Sequence, residues 1–187
     1  MKPSPDCAAG LREEKISTAQ VYRGDFLDVR RDQVSLPNGN TASREYIIHP
    51  GAAMVVPLHA DGSVTLVRQF RYPINQVVLE FPAGKRDAGE DFLRTAQREL
   101  AEEVGLSAAT WQHLTTVHNA MAYSDDSIGL YLAQDLSSVA QQLDEGEFLE
   151  IVRMPLVAVI AKITTGEISD VKTIIGALLT QAWLSRP

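Results

Sequence analysis

Cysteine occurs once in this 187-residue chain, at Cys7, which excludes an intrachain disulfide and any cysteine-rich zinc site. Its place in a polar N-terminal tail makes it a spectator thiol. Long apolar runs are also missing: the longest, over residues 52–56, is far short of the roughly 20 residues that cross a bilayer. Residues 1–10 lack the apolar core of a secretory signal, so the expected location is the cytoplasm, with no membrane partner. A basic surplus is absent as well, because the formal charge is −7 and the lysines and arginines are dispersed, which argues against a nucleic-acid surface. His49, His59, His113 and His118 show no metal-ligand spacing, and neither a Gly-x-Ser-x-Gly nor a Cys/His arrangement offers a nucleophile.

What is present is ordinary globular material, 45% apolar and 22% charged, without repeats or low-complexity tracts. A chain of this length buries roughly two-thirds of its unfolded surface in one well-packed domain. Residues 21–48 carry short β-rich runs broken by Arg23-Gly24-Asp25 and Pro37-Asn38-Gly39-Asn40, which predicts a small antiparallel sheet. Residues 53–58 and 63–69, joined through His59-Ala60-Asp61-Gly62, read as a second hairpin. Strands are further expected over 77–81, 111–117, 128–133 and 148–154. Pro155 suits the first turn of a helix and Gly166 its end. A last amphipathic helix follows Asp170, a plausible N-cap, with Val171, Ile174, Ile175, Leu178, Leu179, Ala182 and Trp183 at spacings of three and four.

The densest chemistry lies in residues 84–106, which read GKRDAGEDFLRTAQRELAEEVGL. At about 100° per residue, Glu99, Glu102 and Glu103 share roughly a 100° arc of a helix, beside an apolar stripe of Leu93, Ala96, Leu100 and Val104. Like charges at this spacing repel by a few tenths of a kcal/mol, so a cation is needed to hold them together. Hard carboxylate oxygens suit Mg²⁺ or Mn²⁺, which keep waters for a phosphate-bearing substrate. Gly105 closes the helix where a left-handed residue is easiest.

Gly84, Glu90, Arg98, Glu99, Leu100, Glu102, Glu103 and Gly105 fall in the pattern G-x5-E-x7-R-E-L-x-E-E-x-G-L, which resembles the complete signature of the Nudix hydrolases. The resemblance implies the α/β/α sandwich of that fold, a mixed sheet between helices, here with an added N-terminal antiparallel sheet. It implies an N-terminal tail and small antiparallel sheet over residues 1–50 that serves dimerisation and belongs to the same structural unit as the catalytic domain over 51–187. It also implies metal ligation by Glu99 and Glu103, by Glu102 as a third ligand or water holder, and by the Ala83 carbonyl. Arg98, whose guanidinium fork matches carboxylate geometry, is expected to orient a neighbouring carboxylate, with Glu90 in a similar supporting role.

Outside that pattern, Val67-Arg68-Gln69-Phe70-Arg71-Tyr72-Pro73 and Glu80-Phe81-Pro82-Ala83-Gly84-Lys85 resemble the ADP-ribose and nucleoside-diphosphate-sugar pyrophosphatase branch, as does Asp170-Val171-Lys172-Thr173-Ile174. Asp144-Glu145-Gly146-Glu147 matches the branch's acidic loop and implies Glu145 as general base and Glu147 as a further metal ligand, with Glu102 or Glu103 as alternative activators of the water. Arg71, Arg68, Glu80, Ser124 and Asp125 are the substrate-binding candidates; a surface salt bridge is the competing account of Arg71. Tyr72, Tyr123 and Phe70 either stack on a base or pack. Met121-Ala122-Tyr123-Ser124-Asp125-Asp126 keeps the branch's Ser-Asp but lacks its Pro-Gly, which leaves GDP-mannose and ADP-glucose open beside ADP-ribose. The expectation is therefore a metal-dependent homodimeric hydrolase that releases a nucleoside monophosphate and a sugar phosphate. A non-catalytic nucleotide-sugar sensor and a hydrolase of dinucleoside polyphosphates, nucleoside triphosphates or RNA ends are the rivals.

Overall fold

The computed structural model describes residues 10–186 and groups them into two units, one built from residues up to 49 together with 120–126, the other from 50–119 and 127 onward. Cys7 lies outside the described residues.

In the first unit β1 (Glu14–Arg23), β2 (Asp28–Ser35) and β3 (Thr41–Ile48) form an antiparallel sheet in that order. The Asn38-Gly39 turn closes the second hairpin, with Gly39 at φ 84° and its N–H donating to the Leu36 carbonyl. The sheet starts earlier than residue 21, because all ten residues of β1 are exposed and the first part of the strand carries no burial pattern to read. Residues 120–126 lie along β3, where the Ile47 N–H donates to the Tyr123 carbonyl.

The second unit holds two sheets. β4 (Ala52–Pro57) runs parallel to β9 (Ile128–Ser138) and antiparallel to the short β7 (Ala83–Lys85), and β8 (Leu106–Val117) completes the order β7-β4-β9-β8. β5 (Ser63–Arg71) lies between β10 (Leu149–Pro155) and β6 (Gln76–Glu80). The hairpin expected over 53–58 and 63–69 is thus not a ladder. β4 and β5 share only the bridge Leu58 to Val64 and then enter different sheets. The cause is burial: β4 is covered on both faces, and a strand buried twice pairs in a sheet interior rather than with its chain neighbour.

Alternation along β4 splits the core. Ala53 and Val55 pack with Ala96, Leu100 and Val104 of α1 (Phe92–Val104), while Met54 and Val56 join Leu156 and Val159 of α2 (Leu156–Thr164) and Ala177 of α3 (Val171–Leu184). A mixed sheet between helices is the result, the α/β/α sandwich expected from the sequence.

Candidate active site

The chain leaves β6, turns at Phe81-Pro82, and passes through β7 into the loop before α1. Asp91 caps the helix by accepting a hydrogen bond from the Arg94 N–H at 2.8 Å. Gly105 ends it at φ 63°, where an added Cβ would also lie 3.1 Å from the Val139 carbonyl. Once Ala96, Leu100 and Val104 are drawn against β4, helical periodicity carries Thr95, Glu99 and Glu103 into the buried side with them.

Glu103 accepts a hydrogen bond from the Ala83 N–H at 3.0 Å, and the Glu99 carboxylate lies against Gly84. A Cβ at Gly84 would sit 1.9 Å from Glu99 Oε1, so only glycine leaves room for that carboxylate. Arg98 ties the rest together. Its Nη1 donates to Glu99 at 2.7 Å and to Glu102 at 2.8 Å, its Nε donates to Glu90 at 3.1 Å, and its Nη2 reaches the Lys85 carbonyl at 2.8 Å. Thr95, which the sequence reading passed over, donates its hydroxyl to Glu90 at 2.8 Å from a buried position.

One guanidinium faces four carboxylates here, Glu90, Glu99, Glu102 and, at 3.8 Å, Asp87, and the proton affinities show the imbalance. Burial raises Glu103 to about 8, with Glu99, Glu147 and Glu80 adding to the rise and the Ala83 N–H opposing it. Burial likewise raises Glu99 to about 7 against the pull of Arg98, and Glu102 and Glu147 push the same way. Glu90 goes in the other direction, down to about 2, because Arg98 outweighs its burial. Two adjacent carboxylates that resist ionisation, one on the Ala83 N–H and one in a glycine-sized recess at Gly84, form a hard-oxygen pair that fits a divalent cation. Among the described residues no three acidic, histidine or cysteine side chains already converge in metal-binding geometry.

Glu145 and Glu147 stand on the loop before β10, Glu145 exposed and Glu147 half-buried. Glu147 is near enough to raise both helix glutamates. It also lines a cleft of about 390 Å³ together with Arg68, Phe70, Val77, Leu143 and Phe148. Arg68 pairs there with Glu150 at 3.2 Å. Arg71 lies at the end of β5 and its Nε donates to Glu80 Oε1 at 2.7 Å. Glu80, expected to meet substrate, is only 2% exposed and its second oxygen is held by Lys172. Phe70 and Tyr72 meet edge to face at 6.5 Å, both exposed.

Ser124 and Asp125 belong to the first unit, where the Ser124 hydroxyl donates to the Ile47 carbonyl and Asp125 accepts from the His49 N–H at 2.8 Å. The histidines have local partners: His49 with Asp126 at 2.9 Å, His59 with the Thr65 hydroxyl at 2.8 Å and His113 with that of Thr116 at 3.1 Å.

The chain matches the NUDIX domain over residues 48–174 and the nucleoside diphosphate sugar hydrolase N-terminal domain over residues 13–47. It is 34% identical to an ADP-ribose pyrophosphatase of Bacillus subtilis over 165 residues, covering 87% of this chain and 89% of that protein. It is 36% identical to a methanol dehydrogenase activator of Bacillus methanolicus over 173 residues, covering 91% and 94%. The crystal structure of an ADP compounds hydrolase superposes with a TM-score of 0.83 at 27% identity, over 92% of this chain and 94% of that one.

Proposed function

The chain belongs to the Nudix family, and from that premise we propose that it hydrolyses the diphosphate of ADP-ribose or a related nucleoside diphosphate sugar, with Mg²⁺ or Mn²⁺, as a cytoplasmic homodimer. The observation that carries this reading is the pairing of Glu99 and Glu103 on the buried side of α1, seated against Gly84 and Ala83.

In this proposal Glu99, Glu103 and the Ala83 carbonyl would hold the cation, with Glu102 and Glu147 as further ligands. When bound, a divalent cation would supply charge neutralisation at the diphosphate and a lowered pKa for the attacking water. Arg98 and Glu90 keep the helix carboxylates in place. Arg71 and Arg68 meet the phosphates of the substrate, and Glu80, with both oxygens engaged, supports Arg71 rather than touching substrate. Ser124 and Asp125 contribute to substrate selection through the loop they brace on β3. Glu145, exposed on its loop, takes the proton of the attacking water, with Glu102 or Glu103 as alternatives on the helix. Water adds to one phosphorus, the bond to the bridging oxygen breaks, and a nucleoside monophosphate and a sugar phosphate leave.

The test is a panel of ADP-ribose, ADP-glucose, GDP-mannose, diadenosine polyphosphates and nucleoside triphosphates incubated with Mg²⁺ and then with Mn²⁺, with products identified. Turnover of a nucleoside diphosphate sugar ahead of the others supports the proposal. Binding without turnover would favour the sensor reading, and preference for triphosphates or dinucleotides would move the enzyme to another substrate class.

A further inference from the structure

Behind Arg71 lies a buried chain of charges that the hydrolytic residues do not account for. Glu80, the last residue of β6, sits between two cations: Arg71 Nε on Oε1 at 2.7 Å and Lys172 Nζ on Oε2. Lys172 is 9% exposed and also meets Asp170 Oδ1 at 3.0 Å. Asp170 caps α3 through its other oxygen, which accepts from the Thr173 N–H at 2.9 Å, and the buried Thr173 hydroxyl accepts from the Phe81 N–H at 2.9 Å. The first turn of α3 therefore grips both the side chain of Glu80 and the backbone that leads to Ala83.

A lysine is poorly suited to this place on general grounds. Burying its ammonium is costly, and the start of a helix carries partial positive charge that repels it. An apolar residue would serve packing better, so the charge itself needs a reason. Arg71 and Lys172 together balance Glu80 and Asp170. Glu80 is thereby satisfied from two sides, and Arg71 is engaged through Nε while 43% of its side chain stays exposed. With Lys172 absent, the whole carboxylate charge would fall on Arg71 and draw the guanidinium fork inward.

We propose that Lys172 is a positioning residue: by neutralising Glu80 from the α3 side it leaves Arg71 free to bind the diphosphate of the substrate. This rests on the phosphate-binding role proposed for Arg71. It separates two tasks of the Asp170-Val171-Lys172-Thr173 segment, with Thr173 fixing the backbone and Lys172 tuning substrate affinity.

The decisive variant is Lys172→Gln, which keeps a donor beside Glu80 and removes the charge. KM for the preferred diphosphate sugar is expected to rise about tenfold, the scale of one charged hydrogen bond, with kcat within about twofold. Adding Glu80→Gln removes the charge that over-binds Arg71 and should bring KM back to within about threefold of wild type. A merely structural role would lower the amount of active enzyme, leave KM unmoved and give no rescue. If Lys172→Gln does not fold, Lys172→Met, which removes the same charge and keeps most of the side-chain volume, is measured in its place. KM raised about tenfold then supports the inference, and a KM near wild type overturns it. Wild-type turnover with an unchanged KM in folded Lys172→Gln refutes the role of Lys172 and leaves the hydrolase reading intact. A wild type that turns over none of the panel removes the hydrolase reading, and this inference with it.

Discussion

At the scale of single residues, the site stores its chemistry in carboxylates kept where ionisation is unfavourable. Between the ordinary glutamate value of 4.5 and their folded values of about 7 and 8, Glu99 and Glu103 hold protons in the folded chain that the unfolded chain has released. Stability therefore declines as pH rises through that window, and a cation that binds only the ionised pair offsets the decline. Glu90 has the opposite sign, since its contribution is present above 4.5 and lost as pH falls toward about 2, outside the same window. Calorimetry of metal-free protein should show the slope of Tm against pH shifted downward in wild type relative to Glu103→Gln, and saturating Mg²⁺ should remove the difference. Equal slopes in the two proteins would contradict the buried-carboxylate account. Glu103→Gln should also reduce kcat by roughly 100-fold or more, because a lost ligand costs at least as much as a lost outer partner. Gly84→Ala pushes a methyl group into the space of the Glu99 carboxylate, so activity should collapse while the fold persists, as read by kcat beside circular dichroism. Glu145→Gln separates the loop from the helix: a fall of about 100-fold or more assigns the base to the loop, and an unchanged kcat returns it to Glu102 or Glu103.

Elements set these positions by ordinary means, and their legibility in the sequence follows from how local those means are. α1 was readable because its apolar stripe and terminal glycine lie close together in the chain, and the structure ends it at Gly105 and adds Asp91 as the N-cap. Asp91→Ala should cost about 1 kcal/mol in urea unfolding, the usual worth of an N-cap, and leave the m-value unchanged. α3 was equally plain, with Asp170 capping it. By contrast, the pairing of β4 with β9 joins Ala52 to Ile128 across a span that no local signal bridges, so Asp61-Gly62 suggested a hairpin where the chain instead changes sheets. Glu80 and Lys172 are 92 residues apart and meet only after both sheets and α3 have formed. Sequence spacing identified which carboxylates face together on one helix, and it carried no information on which cation from a distant helix would sit behind a strand end.

At the scale of the whole molecule, β1 bears on assembly. The strand is the edge of its three-stranded sheet, and its apolar residues Ile16, Val21 and Tyr22 are all exposed, Ile16 by 58%. Register shifts fall between Lys15 and Ser17 and between Gln20 and Tyr22, which places Ile16 and Val21 at β-bulges. Bulges twist an edge and keep it from extending indefinitely with other chains, while apolar side chains at those points favour one defined partner. A second copy of this chain would satisfy both features through a closed two-fold contact. Light scattering at micromolar concentration should then give twice the 20.5 kDa chain mass, and Ile16→Glu with Val21→Glu should return it to the single mass. A wild-type protein that scatters as a monomer would reject the dimer. Should the double variant be monomeric with its kcat retained and its KM raised, the partner contributes to substrate binding; unchanged kinetics in the monomer would confine the interface to assembly alone.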